Sequence, residues 1–449
     1  MKKTMKKSIA LLMCLALVVC TLCACGDPTD FSDGEKLSKD YTRSTDPAES
    51  YNYNDGATSA PLSYNVYASS VSNFELRLFR NYFAQKSDKT KSSVFAPATA
   101  ALQLSLLANG ATGDTQDEIR LALGKDLTID NINQCSSYFK SRMEAVSKTG
   151  SGEVDELSGK KTQESKSEYV RFGLNLFFND ISDVKTSFLQ TNASYFENNV
   201  YRFLFSDKNA VSKVNKSLSD FSSNDLFENL NEKDSLFLVN AFDMSDLWLD
   251  NYSKSDIEKG TFKSGSGDKS VNFMTSNASL IKTKNAKGII KYTSKNPRKL
   301  MIVMPNEGVP LEEYVSDFNY TEFSDLLDSI DITKKVTAKI PEFSISSEEQ
   351  PQPLSDALAD SGLYTLFTDD ALFKNITHTD NFKLNEIYEI TPEITVNASG
   401  INSDSKIVEK RVKELEKTDE TIKIDRPFIF LLIDNESSIP VYIGTVDNI

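Results

Sequence analysis

Histidine is almost missing from this chain: His378 is the one example in 449 residues. Cysteine is nearly as scarce. Of five, Cys14, Cys20, Cys23 and Cys25 crowd the first 25 positions, and only Cys135 lies beyond them. One imidazole and one distant thiol cannot assemble the Cys and His ligands of a zinc site, so no metal or other cofactor is expected. Motifs of catalysis are lacking too. There is no Gly-x-Ser-x-Gly elbow, no phosphate-cradling glycine loop and no His-Glu-x-x-His. His378 sits in a polar Thr-His-Thr-Asp turn, the setting of a solvated residue rather than a base, and an enzyme is not expected. An excess of positive charge is also absent. Against 65 Asp and Glu stand 50 Lys and Arg, a net charge of −15, which argues against nucleic acid or an anionic membrane face as partner. Finally, the apolar run Ile9–Cys20 is too short for a permanent membrane span.

That run has a different use. Lys2, Lys3, Lys6 and Lys7 precede it, and small residues follow, the layout of a secretory signal. Leu22-Cys23-Ala24-Cys25 resembles the lipobox of bacterial lipoproteins. The resemblance implies a signal peptide over 1–24 and a lipid on Cys25 that anchors the exported chain to the outer face of a membrane. An ordinary signal peptide rich in cysteine would share all of this but the lipid. Loss of the four lysines takes the net charge from −15 to −19, and loss of the early cysteines leaves only Cys135, so no intrachain disulfide is expected. Residues 25–64, rich in Ser, Thr, Asp, Tyr, Gly and Pro, read as a disordered tether. Coil scaling of ~5–6 Å × √n lets it hold a domain a few tens of ångströms from the membrane.

Residues 65–449 carry the apolar patterning of a large core. Phe74, Leu76, Leu78, Phe79 and Phe83 give one side of a helix, and Ala98–Leu107 predicts a second behind Pro97. Asp114–Asp117 predicts an N-cap for a helix over 118–123, and Asn131–Val146 predicts another. Ser147–Ser167 reads as an exposed insertion loop, and Ala210–Leu230 as helical. Val170–Phe178, Asp234–Met244, Leu300–Met304, Val336–Ile340 and Phe382–Val396 predict strands. Near the end, Ile422-Lys423-Ile424 leads to an Asp425-Arg426-Pro427 corner. Phe428–Ile433 then reads as a strand buried on both faces, followed by a turn and a last strand over Ile439–Gly444.

This ending resembles the C-terminal signature of the serpins, the serine protease inhibitors, in which Asn/Asp-Arg/His-Pro-Phe precedes a central strand and a Gly-x-Val-x-Asn stands near the end. Gly444-Thr445-Val446-Asp447-Asn448 fits the latter. Earlier segments agree in order: Phe95-Ala96-Pro97-Ala98-Thr99, Leu238-Val239-Asn240 with Trp248 eight residues on, Asn272-Phe273-Met274, and Met304-Pro305-Asn306-Glu307-Gly308. The resemblance implies an α+β serpin fold with three β-sheets, eight to nine helices and an exposed reactive-centre loop over about 397–421. It also implies a monomer that traps a serine protease by suicide-substrate chemistry and then inserts the cut loop into its main sheet. Thr99, Asn240 and Trp248 match positions where that sheet opens.

The hinge of the loop, Ala398, Gly400, Ile401, Ser403 and Ser405, departs from the family. Glu, small Thr or Ser, and alanines are usual there. The histidine usual in the preceding strand is absent, with Ile390 at the equivalent place. Even so, alternation from Ile401 puts Ile401, Ser403, Ser405 and Ile407 inward and Asp404 and Lys406 outward, as an insertable strand requires. In the uncut chain the hinge is expected to be exposed. Counting forward from Gly400 places the reactive bond at Glu414-Leu415; counting back from Pro427 gives Glu416-Lys417. Arg411 and Lys413 suit trypsin-like enzymes, and Leu415 chymotrypsin- or subtilisin-like ones. A serpin-fold surface binding protein that no longer inhibits remains the alternative.

Overall fold

A computed structural model describes residues 35–42, 59–145, 168–180, 183–294, 298–331, 333–346, 348, 350–390, 393–403 and 414–449. Among them nine α-helices occur: α1 Tyr64–Gln85, α2 Pro97–Ala108, α3 Gly113–Gly124, α4 Ile129–Ala145, α5 Thr186–Phe196, α6 Ala210–Ser217, α7 Leu311–Asp317, α8 Tyr320–Asp328 and α9 Ser355–Asp360. The strands begin with β1 Ser93–Phe95, β2 Tyr169–Asn179, β3 Asn199–Phe203, β4 Leu236–Leu247, β5 Ile257–Ser264, β6 Gly267–Lys282, β7 Ala286–Tyr292 and β8 Arg298–Pro305. They continue with β9 Lys335–Pro341, β10 Phe343–Ile345, β11 Gln352–Pro353, β12 Leu384–Glu389, β13 Ile394–Asn397, β14 Gly400–Ile401, β15 Thr421–Lys423, β16 Phe428–Asp434 and β17 Pro440–Val446.

The periodicity explains the packing. On α1, Tyr67, Val71, Phe74 and Leu78 recur at helical spacing and are buried. Helix α2 is buried on every side, so its polar Thr99, Gln103 and Ser105 lie inside the protein. Pro97 opens it where a missing N–H costs no helical bond. Strands β16 and β17 are buried at each residue, as their apolar stretches Phe428–Ile433 and Pro440–Ile443 require.

The strands form two ladders. One is nine-stranded, in the order β1-β17-β16-β8-β7-β6-β9-β15, with β5 on β6. Long β6 pairs with β5 and β9 before it reaches β7, so two of the three expected sheets share this strand. The other ladder, the main sheet, is eight-stranded: β10-β13-β14-β4-β12-β11, with β2 joined to β4 and β3 to β2. One apolar core joins the helices to both ladders. A smaller one, around Phe177 and Phe237, lies with Ala210 and Val214 of α6.

Three expectations need correction. The helix from Ala210 stops at Ser217 rather than Leu230. Asn215 Oδ1 accepts from the Leu226 and Phe227 amides, and its Nδ2 donates to Phe227 O at 2.8 Å, which folds the following chain back as a loop. The second lies in the presumed tether, where residues 35–42 dock on β3. Arg202 N donates to Glu35 O at 2.8 Å, Lys36 bridges Tyr201 and Lys213 pairs with Glu35. An outer strand offers unpaired backbone groups that such a segment can satisfy. The third is the hinge, which is not exposed: Gly400 and Ile401 already form a strand of the main sheet.

Candidate functional site

On the edge away from β2, strand β4 has two different neighbours along its length. Its lower half, Leu236–Asn240, pairs in parallel with β12 up to Glu389↔Asn240. At its upper end, Leu247 and Asp246 pair antiparallel with Gly400 and Ile401. Those two residues pair on their other side with Asn397 and Val396 of β13. A new strand has thus entered between β13 and β4 at the top, while below it β4 and β12 still touch.

Two asparagines fix this hairpin. Asn397 Oδ1 accepts from the Ser399 and Gly400 amides at 2.8 and 3.2 Å, closing the turn. Asn402, with φ of 50°, donates its amide to Thr395 O and accepts the Thr395 amide on Oδ1, so the chain turns away there. Glycine is required at 400 because a Cβ there would lie 1.9 Å from the Asp246 carbonyl oxygen. Ile401 is fully buried and Ser403 nearly so, with Asn402 between them partly exposed. Ala398 is buried, and its amide donates to Glu342 Oε1 at 3.2 Å. Ser405 and Ile407, with Asp404, Lys406, Arg411 and Lys413, fall outside the described residues, as does Cys25.

Trp248 closes the top of β4. It is buried, its Nε1 donates to Asn397 O at 2.8 Å, and the Lys291 ammonium lies 5.4 Å from its ring centre. Beside it Asp246 and Arg298 form a buried two-pronged ion pair, both bonds 2.7 Å, which ties β4 to β8.

Lower down, Thr99 and Asn240 come together around a residue that the sequence reading did not single out. Glu389, not Ile390, faces Thr99; Ile390 belongs to the small apolar cluster. Thr99 Oγ1 lies 2.6 Å from Ala96 O and 3.0 Å from Glu389 Oε2. The Thr99 hydroxyl points its one proton at both acceptors, the Ala96 carbonyl and the Glu389 carboxyl oxygen. Burial pushes the Glu389 carboxyl well above the ordinary range, and the Thr99 contact offsets only part of that. Tyr442 of β17 is the titratable neighbour, itself pushed up by burial. No local signal set Glu389 apart, since its strand also carries Asn385 and Glu386.

The far end of the loop rests on the other ladder. β15 pairs in parallel with β9, and Thr337 N donates to Glu420 O at 2.9 Å. Arg426 of the corner donates to Pro305 O at 2.8 Å. Glu414 is exposed, and Leu415 is half-buried at a cavity of about 310 Å³. Cys135 is buried, its thiol pushed up to about 11 by burial. No helix among the described residues is long and apolar enough to cross a membrane.

Comparison with known proteins agrees with this architecture. A family model described as serpin (serine protease inhibitor) matches residues 69–449. Human Serpin B5 is 26% identical over 372 residues, covering 78% of this chain and 91% of its own. A solved thermophilic serpin, tengpin in the native state, superposes with a TM-score of 0.75 at 23% identity over 92% of this chain and 99% of that one. Human thyroxine-binding globulin, solved with thyroxine, gives 0.69 at 19% identity, covering 86% and 99%. At these identities the solved structures share the fold.

Proposed function

The chain belongs to the serpin family, and from that premise we propose that it inhibits a serine protease as a suicide substrate. The protease serine attacks a backbone carbonyl between Glu414 and Lys417, with Glu414-Leu415 the first choice. The amide nitrogen leaves with a proton from the protease histidine, and the chain is left as an acyl ester on the serine. The freed upstream arm then extends the strand that Gly400 and Ile401 have begun, and β4 parts from β12 ahead of it. Anchoring through a lipid on Cys25 would hold this monomer on the outer face of a membrane, where exported proteases act.

The observation that carries the reading is the β13–β14 hairpin, which sets the start of the loop in register between the two strands that a longer insert would use. The inward order Ile401, Ser403 supports it, since neither residue brings a charge inside. A second reading, a non-inhibitory surface binding protein, draws on the large Ile401 at a position where the family keeps small residues. Slow insertion lets the acyl ester hydrolyse first. Incubation with chymotrypsin-, subtilisin-, trypsin- and glutamate-specific serine proteases separates the two. A covalent complex that survives SDS is expected; cleavage in the loop without any complex would establish the second reading.

A further inference from the structure

The downstream side of the reactive segment is gripped by a side chain to which the inhibitory reading assigns no role. Asn277 projects from β6, and its carboxamide meets both backbone groups of Glu416. Nδ2 donates to Glu416 O at 3.0 Å, and Glu416 N donates to Oδ1 at 2.8 Å. An amide side chain offers one donor edge and one acceptor edge, so the pair reproduces a rung of a β-ladder where no strand is present. The neighbouring residues add weaker holds. Lys335 pairs with Glu416 at 2.7 Å, but the two side chains are 41% and 48% exposed, and such surface pairs contribute little. Thr337 and Thr418 hydroxyls meet at 2.6 Å.

The consequence falls on Leu415. With Glu416 held, Leu415 is turned against the protein's own body, at the cavity that Leu249, Ala278, Ile290 and Tyr292 help to line. Leu249 is unusually exposed for a large apolar residue, at 58%, and it forms part of that wall. A protease that reads Leu415 must have this side chain in its own specificity pocket, with the flanking backbone extended along its cleft. The grip on Glu416 opposes both.

We propose that Asn277 is a positioning residue for the reactive segment: it holds Leu415 against the body, and its release precedes attack at the Leu415–Glu416 bond. The inhibitory reading, whose first choice is the adjacent Glu414–Leu415 bond, supplies only the reason for cutting within this segment, and cleavage can be scored whether or not a covalent complex forms. The two ideas therefore fail separately.

The test compares wild type, Asn277→Ala and the isosteric Asn277→Asp, which removes the donor to Glu416 O, as full chains. Each is exposed to chymotrypsin at low dose, and in parallel to trypsin. Mass spectrometry gives the rate of cutting after Leu415 relative to that after Arg411. Asn277→Ala is expected to raise this ratio about tenfold, the factor that one or two net hydrogen bonds make, and Asn277→Asp to raise it in the same direction. Thermal midpoints should stay within a few degrees of wild type. General loosening of the fold would speed both cuts and leave the ratio unchanged. An unchanged ratio in both variants, or no cut after Leu415 in any of them, would overturn the proposal.

Discussion

Glu389→Gln isolates one proton in the middle of the main sheet. The wild-type carboxyl is fully buried, and that burial raises its pKa well above the ordinary value of 4.5. In the unfolded chain it ionises near that ordinary value. The sign follows directly: the native state holds a proton that the unfolded state gives up. The group therefore favours folding fully only below about pH 4.5, and its contribution is lost as pH rises toward the native pKa. The loss is about 1.4 kcal/mol for each pH unit over which the proton is kept. Glutamine has nearly the same shape, can accept the Thr99 hydroxyl on Oε1, and has no proton to lose. Denaturant midpoints of the two proteins, taken at intervals from pH 4.5 to 7.5, should diverge. Glu389→Gln gains on wild type by up to about 1.4 kcal/mol per unit, for as far as the native carboxyl keeps its proton. Glu75 of α1 is also buried with a raised pKa, but it is common to both chains and cancels in the difference. Parallel curves would refute the raised pKa, and a difference that shrinks as pH rises would refute its sign.

Three further outcomes are expected. Ile401→Arg should destabilise the uncut chain by several kcal/mol, because the position is already buried; a urea midpoint within experimental error of wild type would contradict the hairpin. Nicking the loop within 411–417 should raise the thermal midpoint as the freed arm joins the sheet, and an unchanged or lower midpoint would mean that no insertion occurs. Cys25→Ser should move the protein from the membrane fraction to the soluble one, and identical partitioning would dismiss the lipid anchor.

Much of this architecture was legible in the sequence wherever one residue's fate is set by its near neighbours. The apolar runs of β16 and β17, the Asp-Arg-Pro corner and the spacing on α1 declared themselves because burial of long segments leaves a periodic trace. What stayed hidden depends on partners distant in sequence. A two-residue strand such as β14 has no period to detect; only the gap between β13 and β4 makes Gly400 and Ile401 a strand. Glu389 reads as a surface charge until α2 brings Thr99 beside it. Asn277 carries no mark at all, since its partner is a backbone 139 residues away. The docked segment at 35–42 has the composition of a free coil, and only the edge of β3 gives it a place.

The β13–β14 hairpin and the β15 anchor hold the two ends of one stretch of chain, so the uncut protein resembles a zipper started at the top with its slider tied from the far side. A strand has already begun between two others, at Gly400 and Ile401. In the proposed mechanism what remains is propagation, in which each residue that enters displaces one rung of the β4–β12 pairing and forms rungs on both sides. In that mechanism the strand does not run on because the chain is tied again at β15, and every residue drawn into the sheet shortens what is left between the two anchors. The uncut state is then held by geometry as well as by bonding energy, and a single peptide bond broken anywhere between the two anchors removes the constraint at once.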